Sequence, residues 1–162
     1  MTKQDITKVF NELGIHITDM GKSYWDGNGA YSKEYGDLWN NLVPDKGSAK
    51  TINGELVRAI GRLNYEYYNN GNCNACEEDE DGEYCISGYY DRFLDLIEDT
   101  LGTECVSALC NNVRKIILRA YRSKSYFNNN MEQYNLLGDI VIWYVLNTED
   151  KELPDWYSTD EE

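Results

Sequence analysis

Apolar positions recur along this chain at the spacing of amphipathic helices, with polar punctuation between them. In residues 2–13, Ile6, Val9, Phe10 and Leu13 fall on one helical face. Gly14 supplies the stop, because it enters the left-handed region without a Cβ penalty. Ser32 is placed to cap a second helix that ends before Pro44, with Tyr35, Leu38, Trp39 and Leu42 inward. Thr51 caps the clearest helix, in which Ile52, Leu56, Ala59, Ile60, Leu63 and Tyr67 form one apolar stripe. Glu55, Arg58, Arg62 and Glu66 then mark a solvated opposite side, spaced for pairing of opposite charges. Asn69-Asn70-Gly71 ends that helix.

The second half repeats the pattern. Tyr90, Phe93, Leu94, Ile97 and Leu101 point inward from residues 88–101, Gly102 terminates the segment, and Thr103 can cap the next one. Residues 104–122 carry Val106, Leu109, Val113, Ile116, Ile117 and Ala120 on one face, and Arg114, Lys115, Arg119 and Arg122 on the other. Asn130 followed by Gln133 is compatible with a capping box. The stretch "GDIVIWYVLN" is apolar on every face and rich in β-branched and aromatic residues, so it suits a buried strand or a central helix. Helical spacing in residues 131–137 runs into it and no partner strand is evident, which predicts the helix. Residues 15–32, with "GKSYWDGNGAY", read as a loop or short hairpin around Asp26-Gly27 that exposes Tyr24, Trp25 and Tyr31. The expected fold is all-α: a compact bundle of about six helices with a Gly/aromatic-rich N-terminal loop. Residues 1–150 form a single helical domain, and 151–162 an acidic C-terminal tail that Trp156 and Tyr157 can pin down.

Composition sharpens this picture. Hydrophobic residues make up 41% and aromatic residues 13% of the 162, which excludes a disordered polyelectrolyte. Fifteen basic against 29 acidic residues give a net charge of -14. Such a surface repels nucleic acid and anionic membranes and favours basic proteins or multivalent cations, while also serving solubility. The N-terminus lacks an apolar signal core, and the longest apolar run, 140–146, is too short to span a bilayer. A cytoplasmic protein is expected, its five cysteines reduced or ligating metal rather than paired in disulfides.

The candidate chemistry centres on "NNGNCNACEEDEDGEYC". Cys73 and Cys76 offer two zinc ligands from one turn, Cys85 a third, and Cys105, Cys110 or His16 a fourth. No second C-x-x-C accompanies them, and Cys110 borders an apolar stripe where a thiol behaves as a small hydrophobe. Acidic neighbours raise a thiol pKa, and no βαβ pattern precedes the pair, which argues against a redox role. A calcium loop starting at Glu77 would use Glu77, Asp79, Asp81 and Gly82, but its last ligand position falls on Gly88. His16, the single histidine, sits between Ile15 and Ile17 with no nucleophile motif nearby, and no phosphate-binding glycine loop is present. These observations point to a protein that is not an enzyme.

The distribution of charge is more specific. Glu77, Glu78, Asp79, Glu80, Asp81 and Glu83 form an acidic loop, followed by Asp91, Asp95, Glu98 and Asp99 at helical spacing on one face, with only Arg92 against them between 77 and 104. Such a row repels itself. The expected function is that of an inhibitor or decoy which presents Glu77, Glu78, Asp79, Glu80, Asp81, Asp91, Asp95, Glu98 and Asp99, spaced somewhat like phosphates, to a basic nucleic-acid-binding protein such as a nuclease or CRISPR effector. In size and charge the chain resembles small acidic phage and mobile-element proteins that block restriction or CRISPR systems. That resemblance implies mimicry of nucleic acid, with no direct binding to nucleic acid or membrane. An acidic immunity protein facing a basic toxin would use the same physics. The alternative is a small regulatory or scaffold module with a structural zinc or divalent-cation site at Cys73, Cys76 and Cys85.

Overall fold

The computed structural model describes residues 8, 11–14, 33–43, 49–70, 76–78, 80–86, 88–122 and 131–157. Among them are five helices: α1 (Lys33–Leu42), α2 (Ile52–Asn70), α3 (Gly88–Leu101), α4 (Glu104–Arg122) and α5 (Met131–Asn147). A two-stranded antiparallel ribbon, β1 (Cys76–Glu78) and β2 (Tyr84–Ile86), lies between α2 and α3. The protein is mostly helical, as the periodicity predicts. Of the expected N-terminal helix, Lys8, Asn11 and Glu12 are helical, and Gly14 takes φ +72° where its N–H bonds Asn11 O at 3.1 Å. The expected loop at 15–32 and its Asp26-Gly27 hairpin lie outside the described residues.

Helix α2 occupies the centre, against α1, α3 and α5, while α4 packs on both α3 and α5. Every residue from 53 to 61 is buried, so the helix has no solvated face over that stretch. This corrects the expectation for Glu55 and Arg58, which are 0% and 3% exposed. The physical reason is what these side chains meet in the fold: Tyr89 of α3 and Tyr157 near the C-terminus both bond Glu55, and Arg58 bonds Tyr89. A Cβ on Gly54 would stand 2.8 Å from Leu42 O, and one on Gly61 would run into the Tyr35 hydroxyl. On the side that faces α1, the two glycines let the helices approach closely. Tyr35 is held in that contact by donating to Val57 O at 2.7 Å.

Helix α5 is the segment whose periodicity left strand and helix open. Tyr134, Leu137, Ile140, Val141 and Ile142 are buried around its circumference, as befits a helix covered on most sides. The ribbon was not legible as strands, because three residues are too few to show alternation. It pairs Cys76 with Ile86, Glu77 with Cys85 and Glu78 with Tyr84, and the turn between contains Gly82 at φ +78°. Both strands pack against α4.

The helix ends follow their punctuation. Gly102 takes φ +68° and its N–H bonds Glu98 O at 2.9 Å, closing α3. Thr103 Oγ1 accepts from Val106 N–H at 3.1 Å at the start of α4. At the start of α2, Thr51 Oγ1 accepts from Gly54 N–H at 3.2 Å. The neighbouring N–H groups of Ile52 and Asn53 are taken by Lys151 O at 2.8 Å and Asp150 Oδ1 at 2.9 Å. A carboxylate there also meets the positive end of the helix dipole. Residues 148–157 thus form a strap across the head of α2, joined by an isolated bridge between Thr51 and Glu152. Tyr157, 7% exposed, anchors its far end. Among the described residues no helix is long and apolar enough to cross a membrane.

Candidate functional site

Two charged assemblies stand out, one exposed and one buried. The exposed one lies where α3 meets α4. Arg114 reaches from the expected basic face of α4 to the acidic row on α3: its Nε donates to Asp91 Oδ1 at 2.9 Å, Nη2 to Asp95 Oδ1 at 2.7 Å and Nη1 to Glu98 Oε2 at 2.9 Å. Nη1 also donates to Asn111 Oδ1 at 3.0 Å. Three carboxylates of the row share one guanidinium, which offsets part of the repulsion that their spacing predicts. The aspartates remain outward, with side chains 52% and 57% exposed, against 21% for Glu98 and 16% for Arg114. Asp99 is exposed one step further along.

The electrostatics are those of an over-supplied guanidinium. Burial pushes the Asp95 carboxyl up, with Asp91 and Glu98 adding to the shift, and Arg114 pulls the other way without reversing it. Burial pulls Arg114 down, but its bonds to Asp91 and Glu98 outweigh that, and its pKa is raised. An open cleft of about 600 Å³ lies at the α3–α4 turn, lined by Glu98, Asp99, Thr103, Glu104 and Ser107 among others.

The acidic loop is the tip of the ribbon. Glu80, Asp81 and Glu83 are exposed around Gly82. Glu77 and Glu78 lie in β1, whereas Asp79 is outside the described residues. The thiols part company here. Cys76 is 8% exposed and its Sγ donates to Ile117 O at 3.4 Å, on the core side with its pair-mate Ile86. Cys85 is paired one position along, and strand alternation turns it to the opposite face of the ribbon. Cys73 and His16 lie outside the described residues. Cys110 is buried in the core, where burial pushes its thiol pKa up, and Cys105 is half-buried at the head of α4. Among the described residues no three His, Cys, Asp or Glu side chains gather to hold a metal ion.

No family model matches the chain, and no curated protein or solved structure matches it. Its function must therefore be argued from its own residues.

The buried assembly is one that sequence reasoning missed. Glu55 Oε1 accepts from Tyr157 Oη at 2.6 Å and from Tyr89 Oη at 2.9 Å. Arg58 Nη1 stands 3.4 Å from both Glu55 oxygens and donates to Tyr89 Oη at 2.6 Å. The guanidinium carbons of Arg58 and Arg62 lie 5.5 and 5.4 Å from the Tyr89 ring centroid, within cation–π range. Burial, then the Glu55 charge, raises the pKa of both tyrosines far above the ordinary value. The node ties α2, α3 and the strap together. The i,i+3 spacing of Glu55 and Arg58 was visible, but nothing local marked the pair as buried.

Proposed function

We propose that this chain is a non-enzymatic, cytoplasmic acidic binding protein: an inhibitor or decoy, of the anti-restriction or anti-CRISPR kind, that occupies the basic nucleic-acid-binding surface of a partner protein. The observation that carries this reading is the half-exposed pair Asp91 and Asp95, fixed in place by Arg114 and flanked by Asp99. Carboxylates held at set positions lose little side-chain freedom when they meet a partner's lysines and arginines. The ribbon tip, Glu80, Asp81 and Glu83, extends the same sign of charge, and a net charge of -14 steers a basic partner from a distance. The proposal includes the rest of the fold: residues 2–13 as a sixth helix of the bundle and 15–32 as its glycine- and aromatic-rich loop.

The test is a pull-down from the native host at low salt, followed by competition. The captured protein should be a basic nuclease or other nucleic-acid-binding protein, and added nucleic acid should release it, since both would occupy one groove. Charge reversal of Asp91 and Asp95 to Lys should weaken binding by about tenfold or more, with helix content by circular dichroism unchanged. Binding that ignores salt, nucleic acid and these two substitutions would overturn the reading.

A further inference from the structure

The C-terminal strap holds an aromatic side chain outward at a fixed place. Residues 154–157 form a tight turn closed by Tyr157 N–H to Pro154 O at 3.0 Å, which puts Asp155 and Trp156 at its apex. Trp156 is 50% exposed, while the next residue, Tyr157, is buried and bonded to Glu55 at 2.6 Å. The two rings meet edge to face, 5.9 Å apart at 82°. One exposed tryptophan is ordinary. One whose neighbour is locked into the core is different, because little conformational freedom remains to be lost on contact.

Its surroundings say what it would contact. Asp155 precedes it in the turn and Glu152 lies four positions earlier on the strap, both exposed, and in 149–157 Lys151 is the single cation against Glu149, Asp150, Glu152 and Asp155. An exposed indole on a strap of this charge suits a flat cation. Guanidinium stacks on indole and bonds carboxylate through its edge, whereas ammonium is more strongly hydrated and lacks the planar face. We propose that Trp156, with Asp155 and Glu152, is an anchor for an arginine side chain on the partner's basic surface. This rests on the acidic-decoy reading but names a site on the strap, separate from the row on α3.

The test is nuclear magnetic resonance titration of the full chain at low salt with oligoarginine, and with oligolysine of equal length. The indole N–H resonance of Trp156, assigned by its loss in Trp156→Phe, should move with oligoarginine. The preference for arginine over lysine should fall by about two- to fivefold in Trp156→Ala, with Trp156→Phe between. An unmoved indole resonance together with an unchanged preference in Trp156→Ala would overturn the anchor. If in that case the amides of Asp91, Asp95 and Asp99 still move, the decoy reading stands alone. If neither set moves, both fall.

Discussion

Replacing Tyr89 or Tyr157 by phenylalanine removes a single hydroxyl, but the two substitutions should differ in cost. The Tyr157 hydroxyl makes one hydrogen bond, to Glu55 Oε1. The Tyr89 hydroxyl is a relay that donates to the same oxygen and accepts from Arg58. Glu55 is 0% exposed and its ion pair with Arg58 is long, at 3.4 Å, so the two short tyrosine bonds carry most of its compensation for burial. Hydrogen bonds to a charged group contribute about 1.5–3 kcal/mol, and a buried charge left short of partners bears the larger figure. Tyr157→Phe should therefore cost about 2 kcal/mol and Tyr89→Phe about 3 kcal/mol. Either would remove a large part of ordinary domain stability, which is about 5–15 kcal/mol. The pair should also be non-additive. With one tyrosine gone the other still serves Oε1, whereas losing both leaves only the distant Arg58. The double variant should exceed the sum by about 0.5–1 kcal/mol. Urea unfolding at neutral pH, followed by circular dichroism with an unchanged slope, reads all three values. Single costs below about 0.5 kcal/mol, the surface-substitution range, or strict additivity, would refute the node as a shared buried acceptor.

Two further outcomes follow from the same packing. Gly61→Ala gains about 1 kcal/mol in helix propensity but places a methyl on the buried Tyr35 hydroxyl, and overpacking costs about 1–3 kcal/mol with the bond to Val57 O lost besides. It should lower Tm in thermal unfolding, and adding Tyr35→Phe should recover part of the loss. At alkaline pH, Tyr89 and Tyr157 stay protonated in the folded state after the unfolded chain has ionised near the ordinary value of 10. Groups raised on folding contribute stability that is complete below the unfolded value and declines above it. Unfolding free energy should thus fall above pH 10 by about 1.4 kcal/mol per pH unit for each tyrosine, after an earlier contribution from Cys110 beginning near 9. Urea titrations across this range check it, and the double phenylalanine variant should lose the tyrosine part of the slope.

Much of the molecule was legible in its sequence because the signals were local. Helix periodicity, the Thr51 and Thr103 caps and the stops at Gly14 and Gly102 depend on neighbours within one or two turns, and each recurs in the fold. The acidic row on α3 was equally local, since spacing alone puts its members on one face. What spacing could not supply was the partner across the groove: Arg114 lies far along the chain and meets the row only because α4 packs on α3. The same limit hid the buried node. Glu55, Tyr89 and Tyr157 are separated by up to 102 positions and carry no shared motif, so a carboxylate that looks solvated on a helical wheel becomes the core of a three-way junction. The sequence by itself determined which segments are helical, where they stop and what sign of charge the surface bears. Only the tertiary structure decided which charges are buried, which are shared and which face outward, because desolvation and ion pairing depend on distances that chain order does not encode.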